Sequence, residues 1–143
     1  MGGGTLRWMS PELFNPNHID FKKGRPTKES DYYALGMVIY EVISGQPPFA
    51  KVESPIVMLK VIEGKCPERP EGIEGTWFTD DVWGTLNLCW ATKPGDRPSI
   101  GVVLECLEPA AKAWKPPPPQ ADEEVETDEY DWDLSTREIY YDS

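Results

Sequence analysis

The sequence predicts an all-α domain, with helices joined by long Pro- and Gly-rich connections and followed by an acidic tail. Three observations lead there. Several segments place apolar residues at helical spacing behind helix-starting residues. No segment alternates apolar and polar residues in the way of a half-buried strand. The stretches between are crowded with Pro and Gly, which end helices.

The elements follow in order. Ser10-Pro11-Glu12-Leu13 reads as a short helix start, with Ser10 as cap and Pro11 in the first turn. Thr27 caps a long helix from Lys28 to about Ser44, which Gly45 stops. Ser54-Pro55 opens a short helix reaching about Glu63 and ending at Gly64. Thr79-Asp80-Asp81 opens a fourth, with acids where the helix dipole favours them and an apolar set of Val82, Trp83, Leu86, Cys89 and Trp90. Ser99 caps a fifth, in which Ile100, Val103, Leu104 and Leu107 stand at i, i+3, i+4 and i+7, a one-faced pattern. The connections are Gln46-Pro47-Pro48, Cys66 to Gly75, and Lys93 to Pro98.

One helix is different. Between Tyr32 and Ile43 only Glu41 is charged, so the segment is apolar on every face. Such a helix belongs in the middle of a core. The other four are short or one-sided, too few to wrap it. The sequence therefore predicts a cover from elsewhere: a protein partner, or self-association over the exposed central helix.

Charge divides the chain. Of 143 residues, 25 are Asp or Glu and 14 are Lys or Arg, a net charge of −11. Residues 120–143 hold ten acids and one base, Arg137, a net of −9. Before them stand Pro116 to Pro119, a run that favours extended polyproline II and cannot continue a helix. The expected organisation is a folded part over residues 1–112, a Pro-rich linker over 113–119, and an acidic, aromatic, disordered tail over 120–143. An acidic chain is not a nucleic-acid binder in the electrostatic sense. No window is apolar enough to span a membrane, and the N-terminus lacks a signal-peptide pattern. Gly2 lacks the Ser or Thr at position 6 that myristoylation needs, since Leu6 stands there. Cys66, Cys89 and Cys106, with His18 as the single histidine, give neither a disulfide framework nor a zinc cluster. A cytoplasmic or otherwise intracellular location is expected.

Three motifs carry a family resemblance. The first is Gly4-Thr5-Leu6-Arg7-Trp8-Met9-Ser10-Pro11-Glu12. The second is Ser30-Asp31-Tyr32-Tyr33-Ala34-Leu35-Gly36, running into Ile39-Tyr40-Glu41 and Gly45-Gln46-Pro47-Pro48-Phe49. The third is Cys89-Trp90 followed by Pro94-Gly95-Asp96-Arg97-Pro98-Ser99. In this order and spacing they resemble the C-terminal part of the large lobe of a eukaryotic protein kinase domain, with the flavour of tyrosine-kinase-like serine/threonine kinases. They resemble, in turn, the end of the activation segment, the central helix with its following turn, and the late Cys-Trp to Arg-Pro-Ser element. The resemblance covers about Gly4 to Leu107 and implies a truncated C-lobe.

The departures are equally specific. Such domains bind ATP through a Gly-rich loop and a strand lysine, and transfer phosphate with an H-R-D-x-x-x-x-N loop and a D-F-G magnesium ligand. Gly2-Gly3-Gly4 lacks the loop's spacing and flanking strand residues. His18 is followed by Ile19-Asp20, and Asp20-Phe21-Lys22 shares two letters with D-F-G, but both lie after the Pro-Glu motif rather than before it. No catalytic, cofactor-binding or metal residue is assigned. ATP and magnesium belong to intact family members, and no cofactor is expected for this chain.

What the resemblance leaves is a platform. Gly4, Thr5, Leu6, Arg7 and Trp8 correspond to the substrate loop, Thr5 being the threonine that links it to a catalytic aspartate. Glu12 and Arg97 resemble the family's buried ion pair. Asp31 resembles the central-helix aspartate that receives amides from the catalytic loop; here it can serve its own helix's first turn. Gly36, Trp90 and Cys89 read as packing residues. The expectation is a fragment of a serine/threonine kinase-like domain, inactive alone; the alternative is a non-catalytic interaction or scaffold module using the helical lobe and the acidic tail.

Overall fold

The computed structural model describes residues 6–14, 25–72 and 76–113. Its helices are α1 (Pro11–Phe14), α2 (Lys28–Ser44), α3 (Ser54–Ile62), α4 (Asp80–Cys89) and α5 (Ile100–Ala113), with 3-10 turns at Leu6–Trp8 and Pro94–Asp96. Among the described residues there is no strand, so the fold is all-α, arranged as in the large lobe of a kinase. Residues 114–143, where most of the linker and the whole tail were expected, lie outside the described residues, as do Gly4, Thr5 and His18.

Local chemistry sets the helix ends. Thr27 and Ser30 form a reciprocal capping box at the start of α2, which satisfies two otherwise orphaned amides. Gly45, at φ 70°, closes its end by donating its N–H to Glu41 O, a left-handed position that suits glycine. The Thr79 side chain accepts from Val82 N at 3.3 Å to start α4. One expected cap differs: Ser10 contributes its carbonyl to Leu13 N–H at 3.1 Å and not its hydroxyl. Ser54 and Pro55 open α3 as expected, after the extended backbone of Glu53.

The core is built on α2. Tyr33, Met37 and Tyr40 form one buried cluster with Val57 and Val61 of α3, Val82, Leu86 and Cys89 of α4, the following Trp90, and Val103 of α5. Phe78, just before α4, is almost wholly buried among them. Tyr40, Phe78, Trp83 and Trp90 form a cluster of aromatic rings with tilted or edge contacts between 5.6 and 6.5 Å, in the range that aromatic quadrupoles favour. The helix that is apolar all round is indeed central, but one side stays open: Val38 is exposed and Val42 is 76% exposed.

α5 departs from its sequence reading. Val103 is buried and Leu107 half-buried, but Ile100 and Leu104 are 53% and 54% exposed. Of the other helices, α5 packs chiefly on α4, and a single neighbour covers a narrow line of a helix rather than a wide face.

Candidate functional site

Arg97 organises the lobe. Its Nη1 donates to Glu12 Oε1 at 2.7 Å and its Nη2 to Glu12 Oε2 at 2.9 Å, the two-pronged arrangement that suits a planar guanidinium. Nη1 also donates to Glu29 O at 2.8 Å and Nε to Ala91 O at 2.9 Å. The guanidinium carbon lies 5.1 Å from the Tyr33 ring centre, a cation–π contact. One side chain thus ties α1, the start of α2 and the end of α4 together. Burial alone would push the Glu12 carboxyl up, but hydrogen bonds and charge from Arg97, with a backbone amide, outweigh it and hold Glu12 below the usual carboxylate range.

Gly36 and Trp90 show why α2 and α4 approach so closely. A Cβ at Gly36 would stand 2.8 Å from both Cys89 Cβ and Trp90 Nε1. Trp90 and Cys89 are buried packing residues, and burial pushes the Cys89 thiol up to about 11. Asp31 is exposed in the first turn of α2, where a carboxylate meets the positive end of the helix.

The segment Leu6–Trp8 is bolted to the lobe at two points. Arg7 Nη1 donates to Pro48 O at 3.2 Å and Phe49 O at 2.5 Å, and Nη2 to Val52 O at 2.7 Å. Trp8 Nε1 donates to Glu41 Oε2 at 3.0 Å. The turn that Arg7 holds contains Phe49 at φ 54°, a left-handed conformation uncommon in a bulky residue. Leu6 is half-buried against the core. The polar ends of Arg7 and Trp8 therefore bond to the lobe itself.

Sequence reasoning missed these contacts. Nothing marked Arg7 as a clamp on a turn 41 residues away. The lone charge in an apolar helix, Glu41, was a usable signal, because a half-buried carboxylate needs a donor. Phe78 was missed because it stands alone between a loop and a cap. Arg69 was missed as well: it donates to Asp80 Oδ1 at 2.8 Å and to Phe78 O, and lies over Trp83.

Two cavities indent the surface. A groove of about 890 Å³ is bounded by the end of α2, the turn after it, α3 and residues 68–71. A smaller one of about 540 Å³ lies between the start of α4 and the end of α5. Among the described residues no three His, Cys, Asp or Glu side chains gather as metal ligands, and the positive-φ glycines, Gly45, Gly64 and Gly72, are isolated turn residues. Among the described residues, no helix is long and apolar enough to cross a membrane.

Comparison with known proteins agrees with the geometry. The sequence profile described as protein tyrosine and serine/threonine kinase matches residues 2–107. A light-sensor protein kinase of Ceratodon purpureus is 32% identical over 114 residues, covering 73% of this chain and 8% of that protein. The serine/threonine-protein kinase CTR1 of Arabidopsis thaliana is 28% identical over 83% of this chain and 13% of its own length. Receptor-interacting serine/threonine-protein kinase 2 of Bos taurus is 31% identical over 79% of this chain and 21% of its own. The chain thus spans between 8% and 21% of the length of these three relatives. With a profile match over most of its length and a helical lobe organised around Glu12, α2 and Arg97, the chain belongs to the protein tyrosine and serine/threonine kinase family.

Proposed function

We propose that these residues form the protein-facing platform and scaffold of a serine/threonine kinase-type domain, whose family activity is ATP-dependent protein phosphorylation, and that by themselves they neither bind ATP nor transfer phosphate. The observation that carries this reading is the anchoring of Leu6–Trp8 by Arg7 and Trp8. The segment matching the family's substrate loop is folded onto the lobe by its own side chains, so the platform is preorganised. Transfer needs a base, magnesium ligands and a phosphate-clamping lysine held together, and the sequence offers no H-R-D, D-F-G or Gly-rich loop in its proper place. The test is calorimetric titration of the purified chain with Mg-ATP beside an assay on a general protein substrate. No saturable heat and no incorporated phosphate are expected. Binding tighter than about 100 μM, or incorporation that survives a contaminant control, overturns the reading.

A second reading, a non-catalytic interaction module, is favoured by the open side of α2. Val38 and Val42, one helical turn apart, are exposed on the central helix, and adjoining apolar patches of a few hundred Å² mark association surfaces. A protein partner, or a second copy of the chain, is the expected cover. Sedimentation velocity at low micromolar concentration tests it: a strict monomer with a cooperative melt and no hydrophobic-dye binding argues against an uncovered face.

A further inference from the structure

The larger groove has a mixed lining. It holds Lys51 and Lys60, which form no ion pair among the described residues, together with Arg69, Pro70 and the two glutamates Glu68 and Glu71. Tyr40, Pro47 and Phe49 supply apolar lining. The turn bearing Phe49 keeps its left-handed backbone because Arg7 grips three of its carbonyls from outside the groove. Local strain held in place by surrounding contacts is a feature of binding clefts.

The chain contains a segment of matching chemistry. Residues 122–143 hold ten acids with Tyr130, Trp132, Tyr140 and Tyr141 interleaved. Acids complement Lys51 and Lys60, rings complement the Pro and Phe lining, and the segment's single base, Arg137, has Glu68 and Glu71 to meet. The end of α5 is linked to this groove through the residues around Thr79. Ala113, the last residue of α5, lines the smaller cavity together with Thr79. Arg69, on the groove wall, bonds Phe78 O and Asp80 Oδ1, the residues on either side of Thr79. Residues 114–119 include four prolines, and a polyproline II run covers about 3.1 Å per residue, so six residues reach about 19 Å. A tethered segment is present at an effective concentration in the millimolar range, enough to fill a weak site.

We propose that the acidic, aromatic segment 122–143 docks in cis in the groove between the 46–52 turn, α3 and residues 68–71. Lys51 and Lys60 receive its carboxylates, and its rings lie on the Pro47–Phe49 side. A segment without a core of its own orders on binding.

The test uses the whole chain. Trp132 is replaced by a photoreactive phenylalanine analogue, with Tyr140 replaced in a second preparation, and cross-links are mapped after irradiation at low micromolar concentration. The expected result is cross-links to residues 46–52 and 60–71 in monomer-sized product. The paired charge reversal Lys51→Glu with Lys60→Glu is expected to lower their yield about tenfold, equivalent to about 1.4 kcal/mol. Salt at about 1 M, where the Debye length is about 3 Å, is expected to do likewise. Lys51→Gln with Lys60→Gln, which adds no new charge, should give an intermediate loss, with near-ultraviolet circular dichroism unchanged in both pairs. Cross-links scattered over the lobe, centred on Val38 and Val42, found only between copies, or indifferent to the lysine changes each overturn the proposal.

Discussion

Glu12 and Arg97, 85 positions apart, share two parallel hydrogen bonds, with side chains 5% and 0% exposed. Removing one partner of such a pair leaves a buried charge without compensation, which costs about 3–5 kcal/mol. Glu12→Gln and Arg97→Met are each expected to lower the urea midpoint sharply. The double variant is expected to lose clearly less than the sum of the two, because the second change removes a charge already stranded. Purely additive losses would contradict the contact.

The same pair sets an acid limit. The folded Glu12 carboxyl is held below its ordinary value, so the unfolded chain takes up its proton first as pH falls. The contribution is fully present above the unfolded value, about 4.3, and is lost as pH drops through the folded value. Urea melts at stepped pH are expected to show a decline below about pH 4.5 that is weaker in Glu12→Gln.

Gly36→Ala and Gly84→Ala should act in opposite directions. Both positions are inside helices, where Ala is intrinsically better than Gly by about 1 kcal/mol. At Gly84 a Cβ meets nothing within 4 Å, so stabilisation by about 0.5–1 kcal/mol is expected. At Gly36 it strikes Cys89 and Trp90 at 2.8 Å, and overpacking of about 1–3 kcal/mol outweighs the helical gain. Thermal melts of the two variants on either side of the parent check the claim.

Arg7 should resist conservative exchange. Arg7→Lys replaces a rigid fork reaching three carbonyls by a single ammonium. Each charge-assisted bond contributes about 1.5–3 kcal/mol when buried; at this half-buried site a loss of about 1–2 kcal/mol is expected for both Arg7→Lys and Arg7→Ala. Amide exchange should quicken at Val52, whose N–H bonds Phe49 O at 2.9 Å. Unchanged exchange there would remove the clamp from the account.

Thiol chemistry should separate the three cysteines. Cys89 is fully buried and its thiol is pushed up to about 11, chiefly by burial. At pH 8, iodoacetamide is expected to modify the half-buried Cys66 and Cys106 while leaving Cys89 untouched until the chain unfolds. Because the folded value lies above the unfolded one, near 8.5, this site's contribution to stability is present below that pH and is lost as pH rises through about 11.

Much of this was legible in advance because it is local. Thr27 and Gly45 bracket α2 through bonds made within four residues, and Gly64 ends α3 in the same way. Apolar spacing found Val82, Leu86 and Cys89. It failed at Ile100 and Leu104, since spacing shows which residues could share a face and not whether a neighbour covers it. The meeting of Glu12 with Arg97 came from family resemblance, not from spacing. The grip of Arg7 on the 48–52 turn had no local trace, because its partners are carbonyls, which every residue carries.

The ring cluster beneath α2 also gives the molecule an optical signature. Trp83 and Trp90 lie 5.7 Å apart with planes at 78°, and Tyr40 and Phe78 adjoin them. Two indoles fixed this closely at a large angle exchange excitation, so their transitions mix and rotate polarised light in a way that separate rings do not. The seam between α2 and α4 is therefore its own chromophore, and any loosening of that seam registers as a change in colour chirality before a helix has unwound.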